Sequence, residues 1–175
     1  MVKVAAAQIN VADSIEENCR KILEFIGRAA RKKADIVCFP EVCLNCNTTK
    51  IPNLRFYIRQ MQQKCRQHRI NCIFGSYVKE KGKTYNTIFL IDRKGEIAYK
   101  YRKIHLWRSE RNVTAGKTNK AIDTDIGKIG IINCWDIAFP LLCRELVKQG
   151  AKIIFCPAFE IDYEKDKEAI RALIH

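Results

Sequence analysis

No apolar run in the 175 residues approaches the roughly 20 needed to cross a bilayer as a helix, so no membrane partner is expected. The opening "MVKVAAAQIN" is too short an apolar stretch for a signal peptide and is broken by Gln8 and Asn10. Internal repeats and low-complexity tracts are absent, which argues against a solenoid or a disordered linker. Histidine is scarce, with His68, His105 and His175 too scattered to suggest a metal set. Acidic residues are also few, 19 against 32 Lys and Arg, for a net charge of +13. Such a surplus raises the question of a polyanion partner. The basic residues are spread over "RKKAD", "RQMQQKCRQHR" and "KYRK" without interleaved aromatics, so a solvated basic surface is expected rather than nucleic-acid binding. The same charge would draw a small acidic substrate towards a pocket.

Cysteine, in contrast, is abundant. The nine are odd in number, scattered, and mostly inside apolar runs, which fits small buried hydrophobes in a reducing compartment, here expected to be the cytoplasm. Cys43 and Cys46 form a lone C-x-x-C, and with no second pair a zinc site is not expected. With 47% hydrophobic residues and 9% aromatics, the chain has the composition of one globular domain, residues 1–175, with its own core.

The order of elements points to an α/β fold with mixed pairing. "VKVAAAQI" (2–9) and "DIVCFPE" (35–41) read as buried strands, parallel if the helix between them is a crossover. That helix has Ser14 and Glu17 in a capping-box pattern and an apolar stripe of Ile15, Cys19, Ile22, Leu23 and Ile26. Pro52 is expected to open a second helix with Leu54, Ile58, Met61 and Cys65 on one face. Strands at 71–79, 84–91 and 96–103, joined by short Gly-containing turns, read as an antiparallel meander. Strands at 119–124 and 128–134 flank a turn at Gly127. A helix at about 139–149 closes on Gly150 as a left-handed cap. A strand at 152–156 and an amphipathic segment from about 163 complete the chain.

Three polar residues stand where strands end. Cys134 follows "GIIN" with a helix just beyond, where backbone N–H groups and the helix dipole would favour the thiolate. On position alone, such a cysteine is more often a core residue. Glu41 follows the apolar strand "DIVCFP", where a solvated loop carboxylate is the commoner outcome. Lys103 ends the third meander strand, where alternation turns it inward, although a surface lysine is the commoner outcome in a basic stretch. Together they supply a nucleophile, a base and a positive charge for an oxyanion, the requirements of acyl transfer.

These residues and their surroundings resemble the nitrilase superfamily of carbon–nitrogen hydrolases over nearly the full chain. "AAAQINV", "FPEVCL", "YRKIHLW…SERNVTAG" and "GKIGIINCWDIAFPLLCRELVKQGAKIIFCPA" match in order and spacing, the last being the most specific. The resemblance implies a four-layer αββα sandwich and a Glu–Lys–Cys triad at Glu41, Lys103 and Cys134. A second glutamate, Glu110, would orient the lysine, and the backbone N–H of Trp135 would join Lys103 at the oxyanion. It implies hydrolysis of a small-molecule amide with no cofactor and no metal. A nitrile or an N-carbamoyl amine would use the same triad, and a catalytically silent interaction module is the alternative from another class. The chain departs from the family at Leu141, where a glutamate often follows "FP". Family domains also continue well beyond a segment like "EAIRALIH", so the sandwich is expected to be incomplete at its C-terminal end. An open apolar edge beside "KIIFCPA", association into a homodimer or higher homo-oligomer, and weak activity of the chain alone are therefore expected.

Overall fold

The computed structural model describes residues 1–159, so the amphipathic segment expected from about 163 lies outside the described residues. Its elements run β1 (Val4–Ala6), α1 (Ile15–Arg31), β2 (Ile36–Cys38), α2 (Arg55–His68), β3 (Asn71–Glu80), β4 (Lys83–Ile91) and β5 (Ile97–Arg102). After a loop come β6 (Ile122–Thr124), β7 (Gly127–Ile131), a 3₁₀ turn at Cys134–Ala138, α3 (Pro140–Lys148) and β8 (Ile153–Phe155). One sheet has the order β1-β2-β3-β4-β5 and the other β6-β7-β8. β1, β2 and β3 pair in parallel, and β3, β4 and β5 form the antiparallel meander. In the second sheet β7 is antiparallel to β6 and parallel to β8.

Strand alternation sorts the apolar residues into layers. Val37, Cys72, Phe74, Phe89 and Ile91 face outward from the first sheet and pack under Cys19, Ile22 and Ile26 of α1 and Met61 and Cys65 of α2. Their neighbours Ile36, Ile73, Ile88 and Leu90 point the other way, onto Ile129, Ile131 and Phe155 of the second sheet. Leu146 of α3 covers the far side of that sheet with Ile132 and Ala151. The layers are therefore helix, sheet, sheet, helix, the αββα sandwich implied by the sequence.

Several boundaries differ from expectation. β1, β2 and β8 keep only three ladder residues each, against eight, seven and five expected, because the flanking residues turn away to form loops. β6 likewise keeps only 122–124 of the 119–124 expected. The second helix starts at Arg55 rather than Pro52: the Asn53 side chain accepts the Arg55 N–H at 3.0 Å and sets the first turn. Ser14 caps α1 through the Glu17 N–H (3.2 Å), but the Glu17 carboxylate pairs with Lys21 at 2.7 Å, so the reciprocal half of the capping box is missing. α3 ends near Gly150, whose φ of 96° is left-handed as expected. Among the described residues, β8 is the edge of the second sheet and pairs only with β7. That edge strand lies in "KIIFCPA" and is three residues long.

Burial raises the thiols of the core. Cys38 and Cys43 are pushed up to about 12 and Cys19 to about 11 from an ordinary 9.0, with loss of solvation the largest cause each time. The unfolded chain releases these protons near pH 9 while the native chain keeps them, so stability falls as pH rises from about 9 towards 12. Urea-unfolding midpoints should therefore drop between about pH 8 and about pH 10.5; a flat profile would mean that these thiols are solvated.

One close approach positions the loop after β2. A Cβ on Gly75 of β3 would lie 2.5 Å from the Val42 backbone nitrogen and 3.0 Å from the Glu41 carbonyl carbon. Gly75→Ala should lower the thermal midpoint by an amount equivalent to about 1–3 kcal/mol. Calorimetry of the variant beside the parent checks this.

Candidate active site

The inner face of the first sheet changes character along its strands. Across β3, β4 and β5 the register gives one row of Ile73, Leu90 and Tyr99, then Gly75, Ile88 and Tyr101. Tyr77 and Asn86 pair in the next row, which Lys103 extends just beyond β5, its N–H donating to the Asn86 carbonyl at 2.9 Å. In the facing sheet, Ile129 and Ile131 are followed in the same phase by Asn133. The apolar layer between the sheets thus ends in a polar cluster, and Glu41, Glu110 and Cys134 converge there.

Each is brought in by a local device. The chain leaves β2 at Cys38, and Val42 takes a φ of 45°, folding Glu41 over the face of Gly75. Lys103 continues the inward phase of Tyr101, and its carbonyl accepts the Gly116 N–H at 2.8 Å. A Cβ at Gly116 would fall 2.1 Å from the Arg102 carbonyl oxygen, so only glycine lets these segments meet. Glu110 sits in a turn, where its carboxylate accepts the Trp107 N–H at 2.9 Å.

The cluster is closed on itself. Lys103 Nζ lies 2.8 Å from Glu41 Oε1 and 2.9 Å from Glu110 Oε2. Asn86 Nδ2 donates to Glu41 Oε1 and Glu110 Oε1, both at 2.7 Å. Tyr77 donates its hydroxyl proton to Glu110 at 3.2 Å, and the Phe159 N–H reaches Glu41 Oε2 at 3.2 Å. Lys103 is 2% exposed, Glu41 4% and Glu110 7%, so neither carboxylate nor the ammonium is a surface group. Burial opposes the charge on Lys103, but Glu41, Cys134 and Glu110 outweigh it and push its pKa up. Burial likewise opposes the Glu110 carboxylate, and Lys103, Asn86 and the Trp107 N–H hold it below the ordinary range.

Cys134 corrects two expectations. It is not a strand residue: β7 ends at Ile131, and Cys134 opens the 3₁₀ turn with a φ of 48°. A non-glycine residue there carries about 1–3 kcal/mol of strain, which its surroundings must hold. Asp136, fully buried, does much of this by accepting from the Asn133 N–H (3.0 Å), the Tyr101 hydroxyl (2.6 Å) and the His105 N–H (2.8 Å). The Cys134 N–H donates to the Pro157 carbonyl at 2.8 Å. Nor does the environment favour the thiolate. Burial and then the Glu41 charge push the thiol up to about 12, against a smaller opposing pull from Lys103; hydrogen bonding to Glu41 raises it further and the Phe159 N–H lowers it. The resting group is a thiol whose proton faces a carboxylate.

Glu41, Lys103, Glu110 and Cys134 thus meet at one end of the inter-sheet layer, and Trp135 follows Cys134 in the 3₁₀ turn with its ring edge-on to Trp107. Cys43 is buried in the first core with its thiol 3.7 Å from the Gly75 carbonyl, and Cys46 packs near Val42 and Tyr77. Among the described residues no three metal-ligating side chains gather. Leu141, at the departure from the family pattern, is 68% exposed on α3. The sequence reading missed Asn86, Asn133, Asp136 and Tyr77. Asn86 was within reach: it shares the inward phase of Ile88 and Leu90, and a polar residue there must find partners.

Residues 3–168 match the family model described as carbon-nitrogen hydrolase. A probable hydrolase of Bacillus subtilis, YhcX, is 34% identical, the match covering 82% of this chain and 31% of that protein. The deaminated glutathione amidase of a Synechocystis strain is 28% identical, over 88% of this chain and 65% of its own length. The chain therefore spans from under a third to about two thirds of these curated relatives. An amidase mutant from Nesterenkonia sp. AN1, its active-site cysteine carrying the product of Michael addition of acrylamide, superposes with a TM-score of 0.85 at 16% identity. That match covers 97% of this chain and 72% of the amidase. With its sandwich, the order of its motifs and a family match over most of its length, the chain belongs to the carbon–nitrogen hydrolase family, the nitrilase superfamily.

Proposed function

We propose that this chain carries the reaction centre of a cysteine hydrolase that cleaves a small linear amide through a thioester acyl-enzyme. The observation that carries the reading is the buried Lys103 ammonium held between Glu41 and Glu110 beside a thiol that Glu41 already hydrogen-bonds. Glu41 takes the Cys134 proton as sulfur attacks the carbonyl carbon, and the electron pair of the C=O moves to oxygen. Lys103 and the Trp135 N–H face that oxygen and stabilise its charge. As the intermediate collapses the C–N bond breaks, and Glu41 returns its proton to the leaving amine or ammonia. Water then attacks the thioester, giving a proton to Glu41, and the C–S bond breaks with reprotonation of sulfur. No step calls on a cofactor. The name of the Synechocystis amidase and the cysteine adduct of the Nesterenkonia amidase support the same chemistry. Nitriles and N-carbamoyl amines would engage the same residues, so an assay panel should contain all three classes.

Cys134→Ala should abolish ammonia release while leaving the melting temperature near that of the parent, and Cys143→Ala should change turnover little. Substantial hydrolysis by the Cys134 variant would sink the assignment. Glu41→Gln and Lys103→Met should each lose roughly 10²–10⁴-fold in kcat, the range for a general base or an oxyanion donor. Because the Glu41 charge raises the thiol, Glu41→Gln should also let Cys134 ionise at lower pH. Thiolate absorbance, taken as the difference from the Cys134→Ala background, checks this. An unmoved titration would place Glu41 away from the sulfur.

A further inference from the structure

The mechanism leaves unused a pair of buried amides. Asn86 and Asn133 are 1% and 0% exposed, and Asn133 Nδ2 donates to Asn86 Oδ1 at 2.9 Å. Asn86 stands on β4 opposite Tyr77 and beside Lys103, and Asn133 immediately precedes Cys134. We infer that Asn86 is a positioning residue whose bond to Asn133 locks the Cys134 turn to the Glu41–Lys103–Glu110 cluster and leaves Glu41 Oε2 as the oxygen that receives the thiol proton. The inference rests on the reading that Cys134 and Glu41 exchange a proton.

Donor accounting supports it. A side-chain amide has two N–H donors and one carbonyl acceptor. Asn86 spends both donors on carboxylates, Glu41 Oε1 and Glu110 Oε1. Turned over, it would aim its carbonyl at two negative charges, and the bond from Asn133 holds it against that. Glu41 Oε1 then accepts from the Lys103 ammonium as well as from Asn86, whereas Oε2, the thiol aside, receives the longer bond from the Phe159 N–H. A proton goes to the oxygen whose negative charge is less stabilised, which is Oε2. The S–H bond breaks, the O–H bond forms at Oε2 and the electron pair stays on sulfur; the return step reverses this.

Asn133 ties the turn to the cluster from both sides. Its amide reaches Asn86, and it forms a capping box with Asp136 at the start of the Cys134 turn, where its own N–H donates to the Asp136 carboxylate at 3.0 Å. The groups facing Asn86 are Glu41, Glu110, Lys103 and Tyr77, with Cys134 beyond Glu41.

The test compares Asn86→Leu, Asn86→Asp, Asn133→Val and the Asn86→Leu/Asn133→Val double variant with the parent. The readouts are the rate of Cys134 alkylation by iodoacetamide, located by mass spectrometry, and kcat on an amide that the parent hydrolyses. Asn86→Leu should slow both about 10- to 100-fold, the range for hydrogen bonds to charged groups. Asn133→Val should slow them less, and the double variant should be no slower than Asn86→Leu, because the two act through one bond. Asn86→Asp keeps the shape of the side chain and loses the donors. Its rate relative to the parent should be lowest at neutral pH and recover as pH falls, because a protonated aspartic acid regains one donor. Additive losses in the double variant, or an Asn86→Asp rate that tracks the parent at every pH, would overturn the inference. A parent whose Cys134 is no more reactive than its other cysteines would overturn the functional reading, and this inference with it.

Discussion

One buried ammonium holds this structure to its plan. Lys103 is taken almost wholly out of water, which costs several kcal/mol for an ion of its size unless charge and hydrogen bonds replace the solvent. Two carboxylates from different parts of the chain do so, Glu41 from the loop after β2 and Glu110 from the turn after β5. Two carboxylates around one cation leave an excess negative charge, and the donors of Asn86, Tyr77 and the Trp107 and Phe159 backbones disperse it. Removing one partner would strand the others, so the cluster constrains the loop after β2, β3, β4, the end of β5, the 107–110 turn and Phe159 at once.

The same electrostatics set the state of the thiol. A positive charge near sulfur ordinarily favours the thiolate, yet here burial and the Glu41 charge prevail over Lys103 and the proton stays on Cys134. A thiol with its base already in place is suited to a reaction in which sulfur is needed as an anion only when a carbonyl is in reach. The strain of the left-handed Cys134 turn is carried by Asp136, whose bonds reach Tyr101 and His105 on the other sheet's side of the layer. Base, cation and nucleophile are each tied to a different sheet or loop, and their mutual position depends on the packing of the two sheets.

Much of this was legible beforehand. The apolar stripe of α1, the antiparallel meander and the parallel strand pairs follow from hydrophobic period and turn residues, which act locally. Lys103 could be placed inward because strand alternation carries one residue past Tyr101 without any tertiary input. Less legible were the ends of elements. The Arg55 start depends on an Asn53 side-chain bond, and β1, β2 and β8 stop where loops leave to build the site.

The sequence by itself determined the α/β class and put Glu41, Lys103 and Cys134 at strand ends, because period and residue chemistry are properties of short stretches; the layer order and Glu110 came from the resemblance of its motifs to a family. Tertiary structure alone decided the left-handed turn at Cys134, the protonated thiol, and the partnership of Asn86 with Asn133. Each depends on contacts between residues tens of positions apart, as Asn86 and Asn133 are, separated by 47 residues and joined by one hydrogen bond. Burial has the same origin: whether a lysine in a basic stretch is solvated or enclosed is settled only when the second sheet closes over the first.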